Sequence, residues 1–457
     1  MIIELQNFGP IKSFKFDTSK DMHAIFGKNN IGKSYAISAV YLILKNLREY
    51  KEDRLFWDKI NSMDDKLQSI SLKLIEIQNK NIDRLNFTKE IERLIMESLN
   101  SSFIKPLESS LRNSYNYTNI QNKSTLSSLK ILMIFESLVI EFGISEIDDK
   151  LTLNNVLYKN KSHFCIDKDL NINLNTEKYS LEKLANSISN SSPITAKLVR
   201  VCITDFQIDL EIGLSEELYF LPASRSGLYN SLNSFGPIIA ELSRHRNFIT
   251  HKIEIPSLSE PISDYFLNLN TIDKAQANEH YLTHFEEIEQ DILKGKITLD
   301  DETKKYYYVP TDSDMRLELS FTSSMISEIA PIIAHLKYII PLESDKPSIL
   351  FIEEPEAHLH PEIQILLLEY FVKLSKGNVK IVMTSHSNYI FNKLSNLLIA
   401  NKIDKDKLSV SLMKMTPEGS IIEEGAMQMD EYGIEDNNFV DVAEQLYEER
   451  ISLLEKL

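Results

Sequence analysis

The chain has 457 residues, 43% hydrophobic and 26% charged, the balance of a folded globular protein of two or three domains. Its net charge of −17 works against non-specific adhesion to nucleic acid, which depends on neutralising phosphates, although a local basic groove stays open. Two cysteines, Cys165 and Cys202, exclude a disulfide framework and a Cys-based zinc site. No apolar run is long enough to span a bilayer, and Met1-Ile2-Ile3-Glu4-Leu5 enters a strand pattern without the basic and apolar regions of a signal peptide, so the cytosol is the expected location.

Met1 to Phe8 and Ile11 to Asp17 read as strands joined at Gly9-Pro10, and Met22-His23-Ala24-Ile25-Phe26 as a short buried strand. Next comes Gly27-Lys28-Asn29-Asn30-Ile31-Gly32-Lys33-Ser34, which fits the phosphate-loop pattern G-x-x-x-x-G-K-[ST]. Two glycines let the backbone wrap tightly and aim N–H groups at phosphate oxygens. Lys33 supplies positive charge for the β- and γ-phosphates and Ser34 a hydroxyl for Mg²⁺. A helix over Tyr35 to Leu47, with Ile37, Val40, Tyr41 and Leu44 on one face, adds the positive end of its dipole. Strand, glycine loop and helix is the setting the motif requires. The chain has only 12 glycines, which argues against a chance pair at this spacing.

Composition then shifts. Phe56, Ile60, Met63, Leu67, Ile70, Leu74 and Ile77 form an apolar helical seam. Ile91, Leu94, Ile95 and Leu99 suggest a second helix ending before Pro106, and Leu126 to Phe142 a third. Residues 50–206 read as a mainly helical insertion, a packing accessory or an arm or assembly surface, within a head made of residues 1–49 and 207–457. Leu151 to Leu174 reads as small strands with turns, and Leu181 to Phe206 as helical with a break at Pro193. Glu217 to Pro222 reads as a strand, followed by the turn Ala223-Ser224-Arg225-Ser226-Gly227. Arg225 there either reaches a phosphate, fixes a neighbouring loop, or lies on the surface. Phe235 to Lys252 is a helix with a basic end, residues 271–294 a polar acidic helix, Lys296 to Pro310 a hairpin around Asp300-Asp301, and Met315 to Ser320 one more strand.

Ser348-Ile349-Leu350-Phe351-Ile352-Glu353-Glu354-Pro355 is an apolar strand that delivers two carboxylates at its C-terminal end, where ligands of parallel α/β sheets bind. One carboxylate can hold Mg²⁺ and the next accept a proton from attacking water. Strand alternation gives adjacent Glu353 and Glu354 different tasks. Val379 to Thr384 is another buried strand, delivering Ser385-His386-Ser387, where a histidine can contact a γ-phosphate or the attacking water. Strands at Ser409 to Met415 and Ile421 to Glu424 and a terminal helix close the chain, with an acidic stretch from Asp430 to Glu449. Asn401-Lys402-Ile403-Asp404 matches a guanine-reading pattern, but it follows a helix, so ATP is the expected nucleotide.

The order phosphate loop, long insertion, Glu-Glu-Pro-Glu-Ala-His-Leu-His-Pro, then Thr-Ser-His-Ser resembles the ABC-type ATPases of the AAA-15/AAA-21 group, relatives of RecF and SMC heads and of the OLD-family ATPase part. The resemblance implies an α/β fold, an ABC-type P-loop NTPase head with a mixed sheet flanked by helices and a helical insertion. It implies Glu353 and Ser34 as Mg²⁺ ligands, Glu354 as catalytic base, His386 as switch histidine, and Ala357 to Pro361 as a dimer-contacting loop. His358 and His360 are weak candidates for metal ligands in this setting. The family's glycine-rich signature is replaced by Ser320-Phe321-Thr322-Ser323-Ser324-Met325-Ile326. Ser323 and Ser324 can still cap the following helix and meet the phosphate of a second subunit. The implied partners are a second copy, through an ATP sandwich, and a separate effector such as a nuclease, with nucleic acid not indicated by the charge and no membrane. The implied role is an ATPase sensor or scaffold of a prokaryotic anti-phage system of the Septu or PARIS type. The alternatives are a DNA-repair or chromosome-maintenance ATPase and a slow-turnover scaffold.

Overall fold

Strand alternation is the clearest local signal of the first 17 residues. β1 (Ile2–Phe8) buries Ile3, Leu5 and Phe8, β2 (Ile11–Asp17) buries Ile11, Phe14 and Phe16, and the two pair antiparallel with Phe8 opposite Ile11. β3 (Met22–Phe26) is buried at all five positions, the mark of a strand covered on both faces. α1 (Lys33–Glu52) follows it. The computed structural model describes residues 1–52, 70–75, 83–115, 128–145, 150–167, 169, 171–174, 177–180, 194–214, 217–231, 258–270, 286, 288–300, 303, 305–313, 315–340, 347–435 and 440–454.

The later elements, in order, begin with β4 (Arg84–Asn86), α2 (Thr88–Leu99), α3 (Lys105–Tyr115), β5 (Lys130–Ile134), β6 (Leu138–Ile144), β7 (Leu151–Tyr158), β8 (Cys165–Asp167), β9 (Asn171–Leu174) and β10 (Glu177–Ser180). Then come α4 (Ile194–Gly213), β11 (Leu218–Leu221), α5 (Glu260–Asn270), β12 (Gly295–Leu299), β13 (Tyr306–Pro310), β14 (Leu317–Glu318) and α6 (Ser324–Tyr338). The last are β15 (Ser348–Glu353), α7 (Pro361–Ser375), β16 (Val379–Ser385), α8 (Asn388–Ile399), β17 (Leu408–Thr416), β18 (Gly419–Ile422), β19 (Met429–Asp430), β20 (Gly433–Ile434) and α9 (Val440–Leu454). Among the described residues, no helix is long and apolar enough to cross a membrane.

The chain divides into two compact units. One comprises Met1–Ser19, Leu42–Leu214 and Pro417–Gly419. Its antiparallel strands run in the order β2-β1-β5-β6-β7, and a four-stranded sheet runs β10-β9-β8-β4. Three expectations change here. Of the stretch Leu126 to Phe142, expected as a helix, the described residues from Lys130 on form β5 and β6, because Ile131, Met133, Leu138, Ile140 and Phe142 are buried at a period of two. The helix expected to stop before Pro106 continues through a π-helical turn, Asn100–Ile104, into α3. Pro106 is the second residue of α3, directly after the π-helical turn. Among the described residues, seven strands, β4 to β10, thus fall in the stretch read as mainly helical. Of the seam from Phe56 to Ile77, only Ile70 and Leu74 lie among the described residues, and both are buried within a helical stretch at 70–75.

The other unit comprises Lys20–Tyr41, Ser215–Thr416 and Ser420–Leu457. Its centre is a parallel sheet in the order β11-β15-β16-β3-β17. The α/β fold is that of a P-loop NTPase head, a central sheet flanked by helices. Apolar side chains of α6, α7 and α8, among them Ile329, Ile333, Leu367, Phe371, Phe391 and Leu394, join Leu350, Ile352, Ile381 and Met383 in one core. Tyr41 meets Phe220 and Phe351 edge-on at ring distances of 5.3 and 5.6 Å. The hairpin around Asp300 is present as β12 and β13. The strand expected over Met315 to Ser320 shrinks to Leu317–Glu318, followed by a 3-10 turn at Leu319–Phe321. The basic helix over Phe235 to Lys252, most of the acidic one over 271–294 and the start of the one at Leu181 lie outside the described residues.

Candidate active site

The strand register assembles the site. Leu221 is paired with Ile352, Glu353 with Thr384, and Ser385 with Phe26. The C-terminal ends of β11, β15, β16 and β3 are therefore level, and the segments that leave them meet at one edge of the sheet. These carry Ala223 to Arg225, the Glu353-Glu354 pair, His386, and the loop Gly27 to Ser34.

The loop turns on residues of unusual backbone. Gly27 has φ +142°, Asn30 +61° and Gly32 +87°. A Cβ on Gly27 would stand 2.4 Å from Ile31 Cδ1 and 2.6 Å from the Met413 carbonyl oxygen, so the glycine is sterically required. Lys28, Asn29 and Asn30 are exposed, Ile31 is buried, and Ser34 follows Lys33 into the first turn of α1.

Lys33 is only 6% exposed. Its ammonium donates to the carbonyls of Gly27 (2.9 Å) and Lys28 (3.0 Å) and lies 2.8 Å from His386 Nε2. That same Nε2 is 3.1 Å from Glu354 Oε1. Burial lowers the Lys33 pKa to about 8, with Glu354 and then Glu356 pulling it back up. Burial raises the Glu353 pKa, against hydrogen bonds from the Ser34 hydroxyl and the Ala223 N–H (3.2 Å). Ser34 and Glu353 are thus directly joined. A hydroxyl and a carboxylate side by side are hard oxygen donors of the kind that Mg²⁺ takes. Glu354 has φ +41° and precedes Pro355, and its N–H donates to the Thr384 carbonyl at 3.1 Å. The structure therefore brings Lys33, Ser34, Glu353, Glu354 and His386 together.

Two further groups hold this arrangement. Glu356 Oε1 accepts from the His386 N–H (2.6 Å) and the Ser385 hydroxyl (2.7 Å), fixing the turn that carries the histidine. Its only sequence signal is a third acid three residues beyond the strand end. Arg225 is fully buried, with Nη1 donating to the Glu353 carbonyl at 2.7 Å. It fixes the neighbouring strand end, which decides between the readings the sequence leaves open. Glu328, its ion-pair partner on α6 (3.5 Å), has no sequence signal.

Ser323 and Ser324 are placed apart from these contacts. Ser323 caps α6, its hydroxyl accepting from Ile326 N–H at 3.4 Å, and the hydrogen bonds of both residues stay within that first turn. Both are exposed, beside the 79%-exposed Phe321. His358 and His360 are exposed, and no group of three metal-ligating side chains occurs among the described residues. Asn401 follows the end of α8 with φ +51°, so the guanine-reading match belongs to a helix end.

The family model described as AAA ATPase domain matches residues 1–391. No curated protein gives a significant match. Among solved structures, the chain is similar to the SMC head bound to the C-winged helix domain of ScpA, at 11% identity and TM-score 0.37 over 92% of this chain and 96% of that one. It is similar to the SMC head domain from Thermotoga maritima at 10% identity and TM-score 0.36, over 93% and 97%. A third is the Smc head domain with an extended coiled coil bound to the C-terminal domain of ScpA derived from Pyrococcus furiosus, at 11% identity and TM-score 0.38, over 98% and 99%.

Proposed function

The chain belongs to the AAA ATPase domain family, and from that premise we propose that it is a nucleotide-driven switch that hydrolyses ATP at the Gly27–Ser34 edge of its parallel sheet. The observation that carries the reading is the contact chain Lys33–His386–Glu354, with Ser34 bonded to Glu353 beside it. Phosphoryl transfer of this kind rests on positioning and charge stabilisation. Backbone N–H groups of residues 27–33 and the Lys33 ammonium bind the phosphates. Ser34 and Glu353 are the residues to hold Mg²⁺, which, when bound, neutralises charge on the phosphate oxygens. Glu354 orients the attacking water and takes its proton, and His386 contacts the γ-phosphate or that water.

The head comprises residues 1–49 and 207–457, with 50–206 as insertion. Ser323 and Ser324 face the nucleotide of a second copy, so ATP binding closes a dimer and hydrolysis releases it. Two outputs compete: a DNA-repair or chromosome-maintenance head, and a sensor or scaffold of an anti-phage system that controls a separate effector. The net charge of −17 weighs against direct DNA contact.

The test is steady-state ATPase activity of wild type and Glu354→Gln, with and without duplex DNA and with whatever protein co-purifies. Turnover lost in Glu354→Gln supports the enzyme. Stimulation by DNA alone selects the DNA-handling head, and stimulation by the co-purifying protein selects the effector-controlling one. Absence of turnover in every condition defeats the enzymatic reading.

A further inference from the structure

Arg225 takes no part in the chemistry above, yet it is fully buried and its contacts converge on the catalytic strand end. Nη1 donates to the Glu353 carbonyl (2.7 Å) and the Pro222 carbonyl (3.1 Å), and Nη2 to the Glu354 carbonyl (3.3 Å). The carbonyls of Glu353 and Glu354 belong to the two peptide planes on either side of the Glu354 Cα. One guanidinium therefore holds both planes, and the Glu354 N–H is held from the other side by Thr384. These restraints act on a residue with φ +41°, a conformation that persists only where the surroundings over-determine it.

On its other side the same guanidinium reaches α6. Nε donates to the Glu328 carbonyl (3.3 Å), Nη2 lies 3.5 Å from Glu328 Oε2, and Ser226 donates its hydroxyl to Glu328 Oε1. Glu328 is 3% exposed and stands in the turn of α6 that follows the exposed Ser323-Ser324 end. Tyr265 Oη donates to the Arg225 carbonyl at 3.2 Å, so the arginine's own backbone is anchored as well. A buried guanidinium is a costly way to add stability, since well-packed apolar residues serve as well or better. Its planar fork, however, can span several acceptors at fixed geometry, which an ammonium cannot.

We propose that Arg225 is a positioning residue that, with Glu328, couples the N-terminal end of α6 to the orientation of the Glu354 carboxylate. The inference rests on the ATPase reading above. Displacement of the Ser323-Ser324 end by a bound partner or phosphate is carried by the helix to Glu328, and through the guanidinium to the two carbonyls that set the direction of Glu354.

Arg225→Lys keeps the charge but cannot span both carbonyls and Glu328. It is expected to bind an ATP analogue within about 3-fold of wild type while kcat falls by about 30-fold or more, with little change in KM. Hydrogen exchange should speed up in the peptide that carries the Glu354 amide and stay unchanged in β3 and β16. Glu328→Gln should lower kcat in the same direction by about 5-fold or more, and the double variant should fall no further than Arg225→Lys alone, the non-additivity of groups in one network. A folded Arg225→Lys with kcat within about 3-fold of wild type overturns the inference. So does a loss of activity accompanied by equal loss of nucleotide affinity and by faster exchange throughout the unit. If Arg225→Lys does not fold, Glu328→Gln decides, and an unchanged kcat in it overturns the coupling. A wild type without turnover, or a Glu354→Gln with full turnover, fells the ATPase reading and the inference with it. Glu354-dependent turnover with a silent Arg225→Lys fells the inference alone.

Discussion

Lys33 Nζ stands 2.8 Å from Nε2 of His386, a residue 353 positions further along the chain, and that ring nitrogen is also 3.1 Å from Glu354 Oε1. One nitrogen thus faces both a cationic donor and an anionic acceptor. Its role depends on the tautomer: accepting from Lys33, or donating to Glu354. The three side chains leave three different strands' ends, so the contact exists only because the register of β3, β16 and β15 is level.

The buried ammonium makes nucleotide binding pH-dependent. Free Lys33 loses its proton through pH about 8, whereas bound phosphates hold it charged. Nucleotide Kd should be flat below pH 8 and weaken above it, by about tenfold between pH 7 and pH 9. Equilibrium titration with an ATP analogue checks this, and a constant Kd over that interval contradicts it. The folded pKa is lowered from 10.5, so between pH 8 and 10.5 the unfolded chain binds more protons. In that window this group makes the nucleotide-free protein more stable as pH rises.

Glu354→Gln keeps the shape of the side chain and removes its basicity. It should lower kcat by about 10²–10⁴-fold, the span of general base catalysis, with nucleotide affinity retained. His386→Ala should lower kcat as well, because it removes the ring that lies between Lys33 and Glu354. Equal kcat in wild type and Glu354→Gln would place the base elsewhere.

Gly27→Ala is expected to disable the loop through its backbone rather than through lost charge. The new Cβ would overlap Ile31 and the Met413 carbonyl at a φ of +142° that alanine rarely adopts. Such strain costs on the order of 1–3 kcal/mol. Nucleotide binding should be lost while the thermal transition drops only by a few degrees, measurable by calorimetry with and without nucleotide. Full nucleotide affinity in this variant would show that the loop has another conformation to bind in.

His335 predicts an acid limit to stability. It is fully buried on α6, stacked on Tyr265 at 5.4 Å, with Nδ1 2.8 Å from the Pro331 carbonyl. Burial lowers its pKa from 6.5 to about 4. Below pH 6.5 the unfolded chain takes up a proton that the folded one refuses, so stability falls as pH drops from 6.5 towards 4, by roughly 3 kcal/mol in all from this residue. Urea unfolding at pH 7 and 4.5 should show a smaller difference in His335→Phe than in wild type. An equal difference would assign the acid sensitivity to other groups.

The residues themselves determined the tight loop between β3 and α1, because steric permissiveness at Gly27 and Gly32 is a property of a contiguous stretch. They determined β15 and β16 equally well, since Ser348 to Ile352 and Ile381 to Thr384 are unbroken apolar or small runs ending in acids or in Ser-His-Ser, which leaves little choice of element. Leu126 to Phe142 was not legible in the same way. Its apolar residues fit both a helical face and strand alternation, and the choice falls to pairing with β1, a partner more than a hundred residues away. The tertiary structure alone decided what Arg225 and Glu328 do, that Glu356 fixes the turn carrying His386, and that Ser34 bonds to Glu353. Each of these contacts joins segments brought level by strand register. Register is a property of packed sheets, which no stretch of sequence carries by itself.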